Sequence, residues 1–556
     1  AELAQRYWAG TMERNPEWAS DLGLHGFDAR VSDNSRAGRE ADATFWRQLR
    51  GEIGALDTDS LSAPDVLTAR LLDHELHIQQ LEHGCDFYTW QFSARDNPMV
   101  DAQTTASLTK ITNATDAANW VARIEGWTPY LQNDAANRRL GVAAGKAPTR
   151  KSVLLTLEQV REVVEAPTSE VALMEPVKAL PEDWDEATRG EWRDRTGAAV
   201  QAWQQALGAW ADVIEAEVLP IARADDAPPG LSALPDGEAC YRAMIEHHTG
   251  LPLDPAQVHQ TGLDEIARLH RELAVLGKKA ADRSDVQAII TWLRTDPSLY
   301  FEDEQQVEDK AREALARAKA AIPDWFGTLP ETDCGVARIP DYLAPYTTIA
   351  YYMPLAVGER DGVYYINTYA PTTRPRHEAE VLAFHESIPG HHLQIALAQE
   401  AGDLPMFRRH LRSTAFVEGW ALYTEQLADE MGLYSGDTDL FGMYSFELWR
   451  AARLVVDTGL HHQGWTREQA IAYMDANTPL AHNNIVNEVD RYINTPGQAL
   501  AYKVGQLEIW KLRREAETAL GDRFDIKAFH DVVLGAGAVT LPVLRDRVEA
   551  WVAAQG

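Results

Sequence analysis

The chain has 556 residues, 45% of them hydrophobic, and a formal net charge of −32. That much apolar material builds a large core, the charge would repel nucleic-acid phosphates and anionic membranes, and no run of about 18 apolar residues offers a membrane span. Cys85, Cys240 and Cys334 are few, widely spaced and odd in number, which argues against a disulfide framework or a cysteine-based metal site and makes a reducing, cytoplasmic setting the expectation.

The N-terminus, AELAQRYWAG, shows no basic region followed by an apolar one, so no export signal is legible; an opening on alanine leaves room for one already removed. Helix-period patterns rich in Ala, Leu, Glu and Arg then run through an N-terminal helical region, 1–222. The break ARADDAPPGLSALPDGEA, residues 222–239, precedes a region 223–556 that carries the chemistry, although the two could form one continuous domain. A second break, IPDWFGTLPETDCGVARIPDYLAPY, leads to the one β stretch, GVYYINTYAP, residues 362–371, within a small β element near 335–370. As an edge strand beside a metal-bearing helix it would pair with an extended peptide, offering Tyr365 and Asn367 to the substrate. A plain core hairpin is the equal alternative.

The next element holds HESIPGHHLQ, from His385 to Gln394. In an HExxH helix, two histidines four apart share a metal and the glutamate beside the first activates water. Here position 389 is Pro389. On a straight helix His391 would point about 240° away from His385, and His392 would lie about 10 Å along the axis, so the helix must deform. Pro389 cannot donate to the carbonyl of His385, and Gly390 tolerates the backbone angles that follow. Two looped-out residues would make His391 the second ligand, with His392 the alternate; adjacent histidines diverge by about 100°, so one binds and the other braces the bulge.

An apolar helical stretch from Phe407 to Met431 follows. It offers Glu418 as third ligand, with Glu425 as rival, leaving a fourth position open for water. Glu386 would take a proton from the water that the ion acidifies. The competing reading has the histidines bonding buried carbonyls at a Pro-Gly kink.

RAARLVVDTGLHHQGW supplies Arg453 and Asp457 at pairing distance along a helix, then His461 and His462. Thr466 and Gln469 form a capping-box pattern, and Thr495-Pro496 reads as the start of a long helix ending at Gly521. VNEVDRYINTPGQALAYKVG adds Arg491, Tyr492, Gln498 and Tyr502. Tyr502, a neutral donor, suits a developing oxyanion; Arg491 suits a substrate carboxylate, with Tyr492 beside it.

HESIPGHHLQ, FVEGWALYTE, RLVVDTGLH and RYINTPGQALAYKVG together resemble a bacterial domain-of-unknown-function family carrying HExxPGHH, over nearly the whole length. That family is similar to thermostable zinc carboxypeptidases and, more distantly, to thimet-type oligopeptidases. The resemblance implies a mainly α, zincin-like fold with a deep cleft and a small antiparallel β element next to the metal-binding helix. It implies His385, His391 and Glu418 as ligands, Glu386 as base, and Tyr502 or His461 as oxyanion stabiliser. The expected function is a zinc metallopeptidase of carboxypeptidase type acting on a short peptide or peptide-like amide, with manganese or cobalt as alternative ions and a homodimer left open. The rivals are a metal-dependent amidase or esterase on a non-peptide small molecule and an inactive helical ligand-binding protein.

Overall fold

The computed structural model describes residues 1–340, 344, 349–354 and 361–555. Of the second sequence break, the part at 341–346 lies outside the described residues apart from Ala344. Among the described residues the chain is 72% helix and 3% strand, hence mainly α as its patterns predict. Among the described residues no helix is long and apolar enough to cross a membrane. Cys334 is a free, buried thiol, but Cys85 and Cys240 are disulfide-bonded, which corrects the expectation of unbridged cysteines.

Two compact units are present, Ala1–Pro229 with Ala233–Gly237 and Gly230–Ser232 with Glu238–Gly556. The first is built on the helices Ala114–Ala143, Arg150–Glu165 and Glu186–Val213. Asn113 opens the longest of them by accepting from the amides of Thr115 and Asp116, which supplies donors that a helix N-terminus leaves unmet. Its core is rich in tryptophan, with Trp120, Trp127, Trp203 and Trp210 all buried. The indole N–H groups of Trp120 and Trp210 donate to the Leu173 carbonyl (3.1 Å) and Asp134 (2.7 Å), so these rings enter the core without a stranded donor.

The second unit holds the helices that concern the site: α1 (Glu378–Glu386), α2 (His391–Glu400), α3 (Thr414–Glu430), α4 (Asp437–His461), α5 (His482–Asn494) and α6 (Leu500–Leu520). α4 is buried along most of its length, as its run of apolar residues on all faces requires. α3 and α6 pack backbone to backbone: a Cβ on Gly419 would meet Gly505 at 2.5 Å, and one on Gly505 would meet the Ala415 carbonyl oxygen at 1.8 Å. The capping box of Thr466 and Gln469 is formed. The helix expected to start at Thr495 starts at Leu500 instead, because the Gly497 amide is turned out of helical pairing to donate to Asp457 (3.1 Å).

Three strands form one sheet: β1 (Cys334–Arg338), β2 (Ala350–Met353) and β3 (Gly362–Ile366), in the order β1-β3-β2. β1 pairs parallel to β3 with Val336 opposite Tyr364, and β2 pairs antiparallel with Tyr351 opposite Tyr365. Two expectations are corrected here. The sheet is mixed rather than antiparallel, and β3 is its central strand, so its backbone cannot receive a peptide. Its alternation is regular, with Tyr364 and Ile366 buried and Val363 and Tyr365 half-buried. β2 is the edge strand on the side of α1.

Candidate metal centre

The HESIPGHH segment forms two helices rather than one bulged one. α1 ends as the Ser387 amide pairs with Ala383 (2.9 Å), and α2 begins at His391 while the His392 amide returns to the Ser387 carbonyl (3.0 Å). Pro389 has no donor to continue α1. A Cβ on Gly390 would lie 2.0 Å from the His385 carbonyl oxygen, so the chain passes there only as glycine. The Trp420 indole donates to the Pro389 carbonyl (3.0 Å), tying the break to α3.

This break turns His391 back toward His385. Their rings meet edge to face, 4.8 Å between centroids. Both Nε2 atoms face one carboxylate oxygen, Glu418 Oε2, at 3.7 Å from His385 and 3.4 Å from His391. The donor atoms of the three side chains all lie within 4.8 Å of one another. Donors about 2.1 Å from a tetrahedral ion are about 3.4 Å apart, so the spacing fits a zinc-sized cation better than it fits hydrogen bonds. Two imidazoles and a carboxylate are the donor types that hold a catalytic zinc, an ion that keeps a fourth position for water or substrate.

The surroundings orient these donors. Glu425 does not join the cluster; its fully buried carboxylate accepts from His385 Nδ1 at 2.8 Å. That bond holds a proton on Nδ1, so a cation that displaces the Nε2 proton would meet that nitrogen's lone pair, the arrangement usual behind a metal-ligating histidine. Burial alone would drive His385 toward neutrality, but Glu418 and Glu425 outweigh it and hold its pKa up at about 9. Burial would likewise raise Glu418, yet the two histidines pull it well below the ordinary carboxylate range. Glu386, half-buried at the end of α1, accepts from the Tyr352 amide on β2 at 3.1 Å. His392 faces away: its Nδ1 meets the Tyr352 hydroxyl (3.0 Å) and its Nε2 the Thr332 carbonyl (3.1 Å), and burial lowers its pKa. Tyr502 lies near enough to Glu418 that burial, and then that charge, raise its phenol pKa and keep it protonated.

Other expected site residues are occupied elsewhere. His461 Nδ1 accepts from the Leu231 amide (3.1 Å) and its Nε2 donates to the Tyr492 carbonyl (2.9 Å), leaving no nitrogen for an oxyanion. Arg491 directs its fork to Glu488 of its own helix (2.9 and 3.2 Å) and its remaining nitrogen to Gln498, so it is not poised for a substrate carboxylate. Tyr492 is fully buried, its hydroxyl accepting from Trp449 and Arg453 at 2.9 Å each. Asn367 is buried in the turn after β3, donating to Ala344 and accepting from Tyr369; Tyr365, half-buried, stacks on Tyr351 at 5.1 Å. Arg453 does not pair with Asp457 but with Glu488 (3.0 Å). Sequence reasoning missed Arg450, whose Nη2 lies 3.5 Å from Glu425; a second arginine three residues before Arg453 in an apolar helix was its one signal.

A mainly α chain with this His-His-Glu cluster is matched by a family model over residues 16–548. The chain belongs to that family, described as bacterial protein of unknown function (DUF885). Two solved structures share its architecture. One is of a "putative lipoprotein" from Colwellia psychrerythraea, 26% identical, with a TM-score of 0.92 over 100% of this chain and 98% of that one. The other is of a "putative lipoprotein of unknown function" from Shewanella oneidensis, 19% identical, with a TM-score of 0.76 over 98% of each chain. No curated protein matches the chain.

Proposed function

We propose that the chain is a metal-dependent hydrolase, a metallopeptidase of carboxypeptidase type acting on short peptides or peptide-like amides, with zinc as its ion. The observation that carries this reading is the convergence of three donor atoms from His385, His391 and Glu418 within 4.8 Å, directly beside Glu386. A divalent ion held there would polarise a carbonyl and acidify water. The chain's own residues supply the rest. Glu386, steadied by the Tyr352 amide, removes the proton from the attacking water and returns it to the leaving amine. Glu425 keeps His385 in the ligating tautomer. Tyr502 donates to the oxygen that gains charge as the carbonyl is attacked.

Elemental analysis of protein purified without chelator tests the centre: one zinc per native chain and none in Glu418→Ala is the expected result. No metal in the native chain even after zinc is added back would sink the reading. In Glu386→Gln, metal should remain while peptide hydrolysis falls by about 10²–10⁴-fold, the usual share of a general base.

We further infer a location outside the cytoplasm. Both similar structures are described as lipoproteins, and the bonded Cys85 and Cys240 remove the ground for a reducing compartment. Thiol titration of the denatured, unreduced chain should find one free thiol, rising to three after reduction; three from the start would overturn this.

A further inference from the structure

Arg450 and Arg453 stand three residues apart on α4, and each is only 3% exposed. A guanidinium has five N–H donors and keeps its charge, so burying one is tolerated when carbonyls or carboxylates meet it. These two are incompletely met. Arg450 has the Glu425 carboxylate at 3.5 Å from Nη2, and its Nε and Nη1 have no hydrogen-bond partner among the described residues. Arg453 gives Nε to the Tyr492 hydroxyl and Nη2 to Glu488, and its Nη1 has no such partner. Glu488 is shared with Arg491 and Glu425 with His385. Three guanidiniums thus divide two carboxylates, one of which already serves the metal centre.

Aromatic rings hold the arginines in place without satisfying them. Arg450 lies over Phe446 (4.4 Å) and Trp449 (4.5 Å), and Arg453 over Trp449 (4.4 Å) and Tyr502 (4.1 Å). Ring faces offset part of the desolvation but give an N–H no lone pair in the plane of the guanidinium. The surplus charge also has a definite address. Through Glu425, Arg450 is one residue removed from His385; through Tyr502, Arg453 borders the surroundings of Glu418.

We propose that Arg450 and Arg453 form the binding site for a carboxylate of the substrate, which restricts the enzyme to peptides or amides with an anionic group close to the bond cleaved. The assignment rests on the hydrolase reading and narrows it. A carboxylate brings two oxygens to the three unmet donors and balances the guanidinium excess. The same chemistry has two sources, a free C-terminus or an aspartyl or glutamyl side chain.

The test is calorimetric titration of the metal-loaded, full-length Glu386→Gln chain with three N-acetyl tripeptides of matched sequence: a C-terminal acid, its amide, and the amide with an aspartate in place of one neutral residue. The acid or the aspartyl amide should bind about 10-fold or more tightly than the plain amide, and that preference should vanish when Arg450→Gln or Arg453→Gln is added. Preference for the acid assigns the C-terminus; preference for the aspartyl amide assigns the side chain. Equal affinities, or a preference that survives both substitutions, overturn the proposal. Should the variants fail to fold, a crystal structure of the Glu386→Gln chain with the preferred peptide decides: the carboxylate on Arg450 and Arg453 supports the site, and a carboxylate held elsewhere ends it. Because binding is read without turnover, a native chain that hydrolyses none of these peptides yet keeps the preference counts against the hydrolase reading alone.

Discussion

Arg123 and Arg138 of the first unit and Arg450 and Arg453 of the second are all buried, and their donors are met differently. In the first, Arg123 donates to the carbonyls of Arg30, Pro16 and Phe27 and to the Ser20 hydroxyl at 2.8–3.2 Å. Arg138 grips Asp134 through two bonds of 3.0 and 3.1 Å and reaches the Gln91 carbonyl. Among the described residues, neither leaves a buried nitrogen without a partner. In the second, Arg450 and Arg453 do. The acids diverge in the same way: Asp134 is held by a guanidinium, whereas Asp457 has the Tyr241 hydroxyl (2.6 Å) and the Gly497 amide. Burial of charge is therefore common to both cores; unmet hydrogen-bonding capacity beside a metal-ligand cluster belongs to one. The first kind of arginine is scaffold, and the second is poised for something that arrives from outside.

The sharpest way to break this contrast is to remove one arginine of each kind. Arg138→Met strands a buried Asp134 and should cost about 3–5 kcal/mol in denaturant unfolding, while Arg450→Met removes an undercompensated charge and should change stability by no more than about 1 kcal/mol. Equal losses would abolish the distinction. Next in size, Glu425→Gln keeps the shape of the residue behind His385 but weakens its acceptor, and competitive chelator titration should show metal affinity reduced about 10–100-fold; unchanged affinity would reduce Glu425 to a packing residue. Last, and smallest per pH unit, is a pH effect. Burial pushes the Asp457 carboxyl up to about 7, whereas in the unfolded chain it titrates near 3.9. The folded state therefore holds a proton that the unfolded state has lost, and this contribution to stability is complete below about pH 4 and disappears as pH rises toward about 7. Denaturation midpoints should show Asp457→Asn gaining on the native chain across that window, by on the order of 1 kcal/mol per pH unit. A constant difference would mean that Asp457 is ionised in the folded state.

Much of this organisation was legible in the residues. Helix periodicity gives the mainly α class, Thr466 and Gln469 announce their cap, and the Pro389-Gly390 pair shows that a straight helix cannot serve both His385 and a later histidine. What the sequence could not supply was set by partners far along the chain. β3 becomes a central strand because Cys334–Arg338 pairs with it, although that segment, with Gly335 inside it, carries little strand preference. Arg491 and Tyr492 have the chemistry of substrate binders but are claimed by Glu488, Trp449 and Arg453. Arg453 and Asp457 have the spacing of a pair, yet Glu488 and Tyr241 reach them first. A spacing rule reports which groups can meet within one helix, whereas in a core of crossing helices the competitor comes from another.

The closeness of α3 and α6 at Gly419 and Gly505 bears on which ion the centre would admit. Glu418 stands one residue before the contact, so its carboxylate is carried by a turn whose main chain already touches a neighbour. Calcium needs six to eight oxygens at about 2.3–2.6 Å and a shell able to spread around it. A turn clamped this way has little room to retreat, so the stiffness of a glycine-to-glycine crossing would act as a size filter, favouring small transition ions over calcium.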